Sequence, residues 1–250
     1  MEGPRPVTPR RRPWLPVVVG VGGFALLAAL VLPGLTHPLD VWVAGHVQRP
    51  LGHWQGDPPA ATNTSGYVRT LWVPDPPLLG HASGLGHKFT VQGATAVLAL
   101  AMVAAGRWRS AVIVAAGGIL NAVATSVLQD FFGPLTEHLR AAEPYPVPVL
   151  FPSGHTMGAT FTWSLVALML ARHLAPPTRP WRRAAVATAV VLSGAAGLDR
   201  MLGGQHVLAD VGAGWLLGTA LVGACLWIDA AWRTPEPVPG VPSADEEIPT

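Results

Sequence analysis

The sequence predicts an all-α membrane protein, a bundle of six spanning helices. Three observations predict it. Half of the 250 residues are hydrophobic and only 12% are charged, against about 25% charged in soluble domains. The apolar residues stand in long continuous blocks, and a block of about 17–25 such residues crosses the hydrocarbon core as a helix. The basic residues gather in alternate segments between the blocks, the asymmetry that orients spans in a bilayer. Only helices and closed barrels satisfy every backbone group in lipid, and barrel strands would alternate in polarity.

In chain order, residues 1–13 are a basic tail carrying Arg5, Arg10, Arg11 and Arg12. The block Leu15–Leu35 follows. It resembles a signal peptide, but it is 21 residues long and no small-x-small cleavage site follows it, so a retained first span is expected. Residues 36–88 form a long outer loop, in which the mixed pattern of Leu39–Leu51 predicts a short interfacial helix. Five further spans are expected at Phe89–Gly106, Ala111–Leu128, Thr156–Ala171, Ala184–Leu198 and Val207–Ile228. The fourth and fifth spans reach full length only if the polar residues at their ends lie at membrane depth. Residues 233–250 are rich in Pro and acidic groups and read as a disordered tail. One membrane domain, 14–232, remains.

With the N-terminus inside, the inner segments hold 11 of the 16 basic residues and the outer segments 5. That bias places both termini in the cytoplasm of a multi-pass cell-membrane protein. Trp14, Trp108, Trp181 and Trp232 adjoin the inner arginines, as interface anchors do. Other classes fall away. The single Cys225 lies inside a span, which excludes a disulfide framework and a zinc cluster. A net charge of +2 gives no footing for a nucleic-acid partner. His37, His46, His53, His81 and His87 share the outer loop at spacings that match no metal motif, and they read as solvated loop residues. No pair of broken helices or inverted repeat marks a transporter.

Two outer-facing stretches carry chemistry. Pro152-Ser153-Gly154-His155 opens the fourth span. Ser153 suits a helix N-cap, Gly154 lets an anion come close to the backbone, and the first turn presents free N–H groups to it. Arg200, His206 and Asp210 follow at the junction of the fifth and sixth spans. His206 and Asp210 are four residues apart, so on a helix they share a face, and a carboxylate there orients one imidazole nitrogen and activates the other. Arg200 can clamp phosphate oxygens with its planar fork. Two His, an Arg and an Asp on one side of a membrane domain are costly to place there and read as functional.

These two motifs resemble those of the type 2 phosphatidic acid phosphatase superfamily, over roughly residues 15–230. The resemblance implies the six-helix fold of the vanadium haloperoxidase-like kind and a metal-independent phosphatase with no cofactor. His206 would attack phosphorus, Asp210 would orient it and His155 would protonate the leaving group. Ser153, Gly154 and Arg200 would bind the phosphoryl oxygens. The substrate implied is a lipid phosphomonoester or an isoprenoid diphosphate drawn from the bilayer, hydrolysed at the outer face. The sequence departs from the family in one motif, Lys, six residues, Arg-Pro, at the end of the third span. Gln129 stands where the Lys would be, and no Arg-Pro follows. Arg140 or His138 is the substitute cation expected nearby. Asp199 replaces the usual Ser before Arg200, and its charge would repel phosphate. Two alternatives stay open: a lipid phosphotransferase, and a homologue that binds lipid phosphate without turnover.

Overall fold

The computed structural model describes residues 13–48, 84–141, 151–174, 176, 178–203 and 205–232, and the long elements among them are all helices. They are α1 (Leu15–Val31), α2 (His37–Gln48), α3 (Lys88–Ala104), α4 (Trp108–Ala141), α5 (Gly154–His173), α6 (Arg179–Leu202) and α7 (Leu208–Ala231). All but α2 stand where the six apolar blocks predict spans, and α2 is the short helix expected in the outer loop. The tails 1–12 and 233–250, and the loop residues 49–83 with His53 and His81, lie outside the described residues.

By length and composition α4, α6 and α7 suffice to cross a membrane, while α1 and α3 are shorter apolar helices. Each of these two has 17 residues, which is about 26 Å at 1.5 Å per residue. α5 has 20 residues but is less apolar, and its position explains why. It packs against α3, α4, α6 and α7, and Thr156, Thr160 and Thr162 on it are buried. Thr162 meets the Thr95 hydroxyl of α3 at 3.2 Å. A central helix faces other helices instead of lipid, so the partnered hydroxyls of Thr156 and Thr162 cost little there.

Two boundaries differ from expectation. α1 stops at Val31, not Leu35, because Pro33 and Gly34 break it; Gly34 takes φ +78°, a conformation other residues rarely adopt. α4 does not end near Leu128. It continues through Pro134 to Ala141, 34 residues in all, or about 51 Å, so Gln129 sits within a continuous helix.

α1 runs antiparallel to α7, whereas α5 and α7 run parallel, Ser153 and Thr156 lying on Gly214 and Thr160 on Gly218. Pro16 and Val17 of α1 lie against Gly223 of α7, and Leu27 lies near Gly212. α5 and α7 cross most closely at one end. A Cβ on Gly214 would sit 2.8 Å from the Ser153 carbonyl oxygen, and one on Gly218 would sit 2.6 Å from the Thr160 Cβ. These two glycines, four apart on α7, let the backbones touch, the small-xxx-small packing of membrane helices. Beneath this crossing, Phe151, Phe132 of α4 and Phe24 of α1 form an aromatic cluster with ring centroids 5.2–5.9 Å apart. A second core, with Met102, Val114, Phe161, Leu165 and Met169, fills the other half. Val97, Leu100, Ile119, Val190 and Val191 stand exposed in mid-helix, as lipid-facing side chains do.

The end opposite the crossing is tied by charge. Asp229 of α7, 3% exposed, accepts from the Ser110 hydroxyl of α4. It meets His173 Nε2 at 3.1 Å and Arg172 Nε at 3.2 Å, both on α5. Trp14, Trp108, Trp181 and Trp232, at the helix termini of this end, are all exposed. Asp229→Ala removes the carboxylate that Ser110 of α4 and Arg172 and His173 of α5 share. It is expected to destabilise the bundle by about 3–5 kcal/mol, read as a lower unfolding midpoint in detergent; an unchanged midpoint would show that the cluster does not hold the three helices.

Candidate active site

The site is assembled at the α5–α7 crossing from three chain segments. The first is the turn into α5. Ser153 is the N-cap residue; its Oγ accepts the Thr156 N–H at 3.4 Å and meets the Thr156 hydroxyl at 3.0 Å. Ser153 is completely buried, so the hydroxyl expected to bind phosphate is engaged in holding the turn. Its N–H donates to the Asp210 carbonyl at 3.1 Å, which joins the two motifs through the backbone. Gly154 is needed for space. A Cβ there would lie 2.7 Å from Thr125 Cγ2 and 3.1 Å from Gln129 Nε2. His155 follows in the first turn of α5.

The second segment is the end of α6. Arg200, 6% exposed, donates from Nε to Asp199 Oδ2 at 2.9 Å, and from Nη2 to the same oxygen. Its Nη1 donates to the side-chain amide oxygen Oε1 of Gln205. Three of the five guanidinium N–H groups are thereby taken by partners among the described residues. Asp199, expected to repel phosphate, pairs with Arg200 and holds the fork in place.

The third segment opens α7. His206 precedes the helix by two residues, which corrects the expectation that it shares a helix face with Asp210. The contact forms all the same. Asp210, in the first turn of α7, reaches back to His206 Nδ1 at 3.3 Å, and the Val207 N–H lies 3.5 Å from the same oxygen. The chain is folded tightly enough for this because the Gln205 and His206 N–H groups both donate to the Arg200 carbonyl, at 3.0 and 3.2 Å. With Nδ1 turned to the carboxylate, His206 Nε2 is the nitrogen left for chemistry. Arg200, His206 and His87 are the charged or titratable neighbours of His155.

The structure thus brings together Ser153, Gly154, His155, Arg200, His206 and Asp210. Gln129 also reaches the site, where its amide donates to the Pro152 carbonyl at 3.1 Å. It supports the turn into α5 and supplies no charge. Arg140 and His138 lie on the last turns of α4, and their side chains fall outside the described residues.

Two site neighbours are invisible to motif reading. His87 is the exposed loop residue that was expected, and its ring also lies 6.4 Å from that of His155. Asp40, on α2, is buried at 5% exposure and accepts the Ala209 N–H of α7 at 2.9 Å. It caps the turn that carries Asp210, across 169 positions of sequence. An acidic residue at the fourth position of a short helix was the only local signal.

With this geometry in view, the chain's relationships are informative. The profile of the PAP2 superfamily matches residues 108–233, which is half of the chain and spans α4 to α7. The chain belongs to the PAP2 superfamily. This PAP2 chain is also similar in structure to the first transmembrane PAP2 type phosphatidylglycerolphosphate phosphatase from Bacillus subtilis, known from its crystal structure. The TM-score is 0.59 at 17% identity, over 86% of this chain and 98% of the other. No curated protein matches it in sequence. The PAP2 match contains every site residue named above except His87 and Asp40. The all-helical membrane fold of the family is therefore the fold of this chain.

Asp40 makes the site's support sensitive to pH. Burial pushes its carboxyl from 3.8 up to about 6, against the lowering effect of the Ala209 N–H and Thr36 bonds. A carboxyl raised in the folded state binds its proton more tightly there than in the unfolded chain. Folding stability therefore falls as pH rises from about 4 to about 6, and the cost is full above that. Asp40→Asn keeps an acceptor and loses the charge. Its unfolding midpoint is expected to exceed wild type most above pH 6 and to converge with it below pH 4; a gap independent of pH would refute this account of Asp40.

Proposed function

We propose that this PAP2 protein hydrolyses a lipid phosphomonoester or an isoprenoid diphosphate through a phospho-histidine. The observation that carries the reading is the Asp210–His206 contact, set beside His155 and a preordered Arg200. Asp210 holds the Nδ1 proton of His206, so the Nε2 lone pair attacks phosphorus. As the P–N bond forms, the P–O bond to the leaving group breaks, and His155 delivers a proton to the departing oxygen. Water then attacks phosphorus, gives a proton back to His155, and the P–N bond breaks to release phosphate and free His206. The guanidinium of Arg200 and the first-turn N–H groups of α5 stabilise the charge on the equatorial oxygens. Ser153 contributes by capping the turn that aims those groups.

On this reading no metal is required, because the positive groups of the protein do the electrostatic work. The tail of the substrate stays in the bilayer and its phosphate reaches the polar end of the bundle. The distribution of arginines supports an outer-face site with both termini and their tails in the cytoplasm. Gln129, a neutral residue where the family has Lys, favours one competitor, a lipid-phosphate binder without turnover.

Full-length protein in detergent, with a chelator present, is expected to release phosphate from dioleoyl phosphatidate or farnesyl diphosphate. His206→Ala should abolish release, and Asp210→Asn should lower it by about 10²–10⁴-fold, as loss of a histidine-orienting carboxylate does. Undiminished release from His206→Ala would sink the nucleophile assignment. No release by wild type from either substrate would favour the binder.

A further inference from the structure

A groove of about 670 Å³ runs between α3, α4 and α5. At one end it is lined by Gly154 and His155, and it continues past Gln129 and Ser126 towards Asn121 and Thr95. Lys88, the first residue of α3, stands on its wall. Among the described residues that line the groove, Lys88 is the only one with a fixed charge, and no acidic side chain is among them. It is also the only lysine of the chain.

The position of Lys88 is set by contacts with α5. The Leu85 carbonyl accepts the Trp163 indole N–H at 3.0 Å. Gly86 is pressed against the start of α5, where a Cβ would lie 2.7 Å from the His155 carbonyl oxygen and 2.9 Å from the His155 Cβ. The next residue, His87, places its ring 6.4 Å from that of His155. Three successive residues before Lys88 are therefore seated on the helix that carries His155. Lys88 itself is exposed, with its ammonium 5.1 Å from the Phe89 ring centroid. A contact of this kind at an exposed site is weak, and a flexible four-carbon stem can exchange it for an anion.

The electrostatics of the site call for such a group. Arg200 already shares its charge with Asp199, and Gln129 spends its amide on the Pro152 carbonyl. A phosphate monoester near neutral pH carries roughly −1.5 to −2 charges, more than the shared charge of Arg200 matches. We propose that Lys88 supplies the second phosphate-binding cation, reaching from α3 across the mouth of the groove to the oxygens beside His155. The proposal rests on the phosphatase reading and assigns to another helix the charge that Gln129 lacks.

The test uses full-length protein in detergent, with dioleoyl phosphatidate in mixed micelles as substrate and inorganic phosphate as competitor. Lys88→Gln is expected to lower kcat/KM by about 10- to 100-fold, less than the roughly 10²–10³ of a buried oxyanion-hole donor because Lys88 is hydrated. The inhibition constant for inorganic phosphate should rise in parallel. Lys88→Arg should keep most of the activity, and adding Gln129→Lys to Lys88→Gln should restore it, since residue 129 already adjoins Gly154. A Lys88→Gln enzyme within about twofold of wild type in both constants would overturn the proposal while leaving the phosphatase reading intact. So would a loss of activity with phosphate affinity unchanged, which marks a structural role. If wild type releases no phosphate, the phosphatase reading fails by itself. Calorimetric binding of inorganic phosphate then decides on Lys88: weaker binding by Lys88→Gln supports the assignment, and equal binding overturns it.

Discussion

The contact between α5 and α7 at Gly214 and Gly218 is the constraint on which the site depends. In lipid, helices gain little from burying apolar surface against one another, and close packing of small residues takes over that role. Here the packing is tight enough for the Ser153 N–H to bond to the Asp210 carbonyl. That one bond sets the first turn of α5 beside the first turn of α7. His155 rides on one turn and Asp210 on the other. A side chain at position 214 would meet the Ser153 carbonyl and push the two turns apart, so the chemistry rests on an absence of atoms.

Around this crossing the polar groups are arranged before any substrate arrives. Asp199 and Gln205 hold the guanidinium of Arg200, Asp210 holds the ring of His206, and Asp40 holds the backbone turn beneath Asp210. Each of these partners is acidic or amide-bearing, and each orients a donor that would otherwise swing. Fixed donors need no reorganisation as charge develops on a phosphoryl group, and that is where electrostatic catalysis gains most. The cost is a neutralised Arg200. The pair Asp199–Arg200 is nearly charge-balanced within itself, which is the ground for the role proposed for Lys88.

The opposite end of the bundle uses the same device for another purpose. Asp229 gathers Ser110, Arg172 and His173 from two neighbouring helices. Buried charge there is matched by donors on every side, so it fixes which helices meet. The two ends thus hold α4, α5 and α7 in register, and the groove between α3, α4 and α5 inherits its shape from that register.

Much of this was readable in the amino-acid order. Continuous apolar blocks give helices because lipid leaves the backbone no other way to satisfy itself, and all six blocks are helical. The Pro-Ser-Gly-His stretch and the Arg200, His206, Asp210 spacing were legible because each is local: a cap, a first turn and a four-residue reach. Helix ends were less so, since α4 continues through Pro134 where an apolar count stops at Leu128. What the order of residues could not disclose is long-range. Asp40 reads as one acid in a loop until α2 folds onto α7, and Asp199 reads as a repulsive charge until Arg200 turns to meet it. His87 and Lys88 read as remote from the site until Gly86 is pressed against His155. Local periodicity and capping determine which segments become helices and which residues carry chemistry. Only the packing of those helices decides which residues meet, because a contact across more than a hundred positions leaves no periodic trace in the chain.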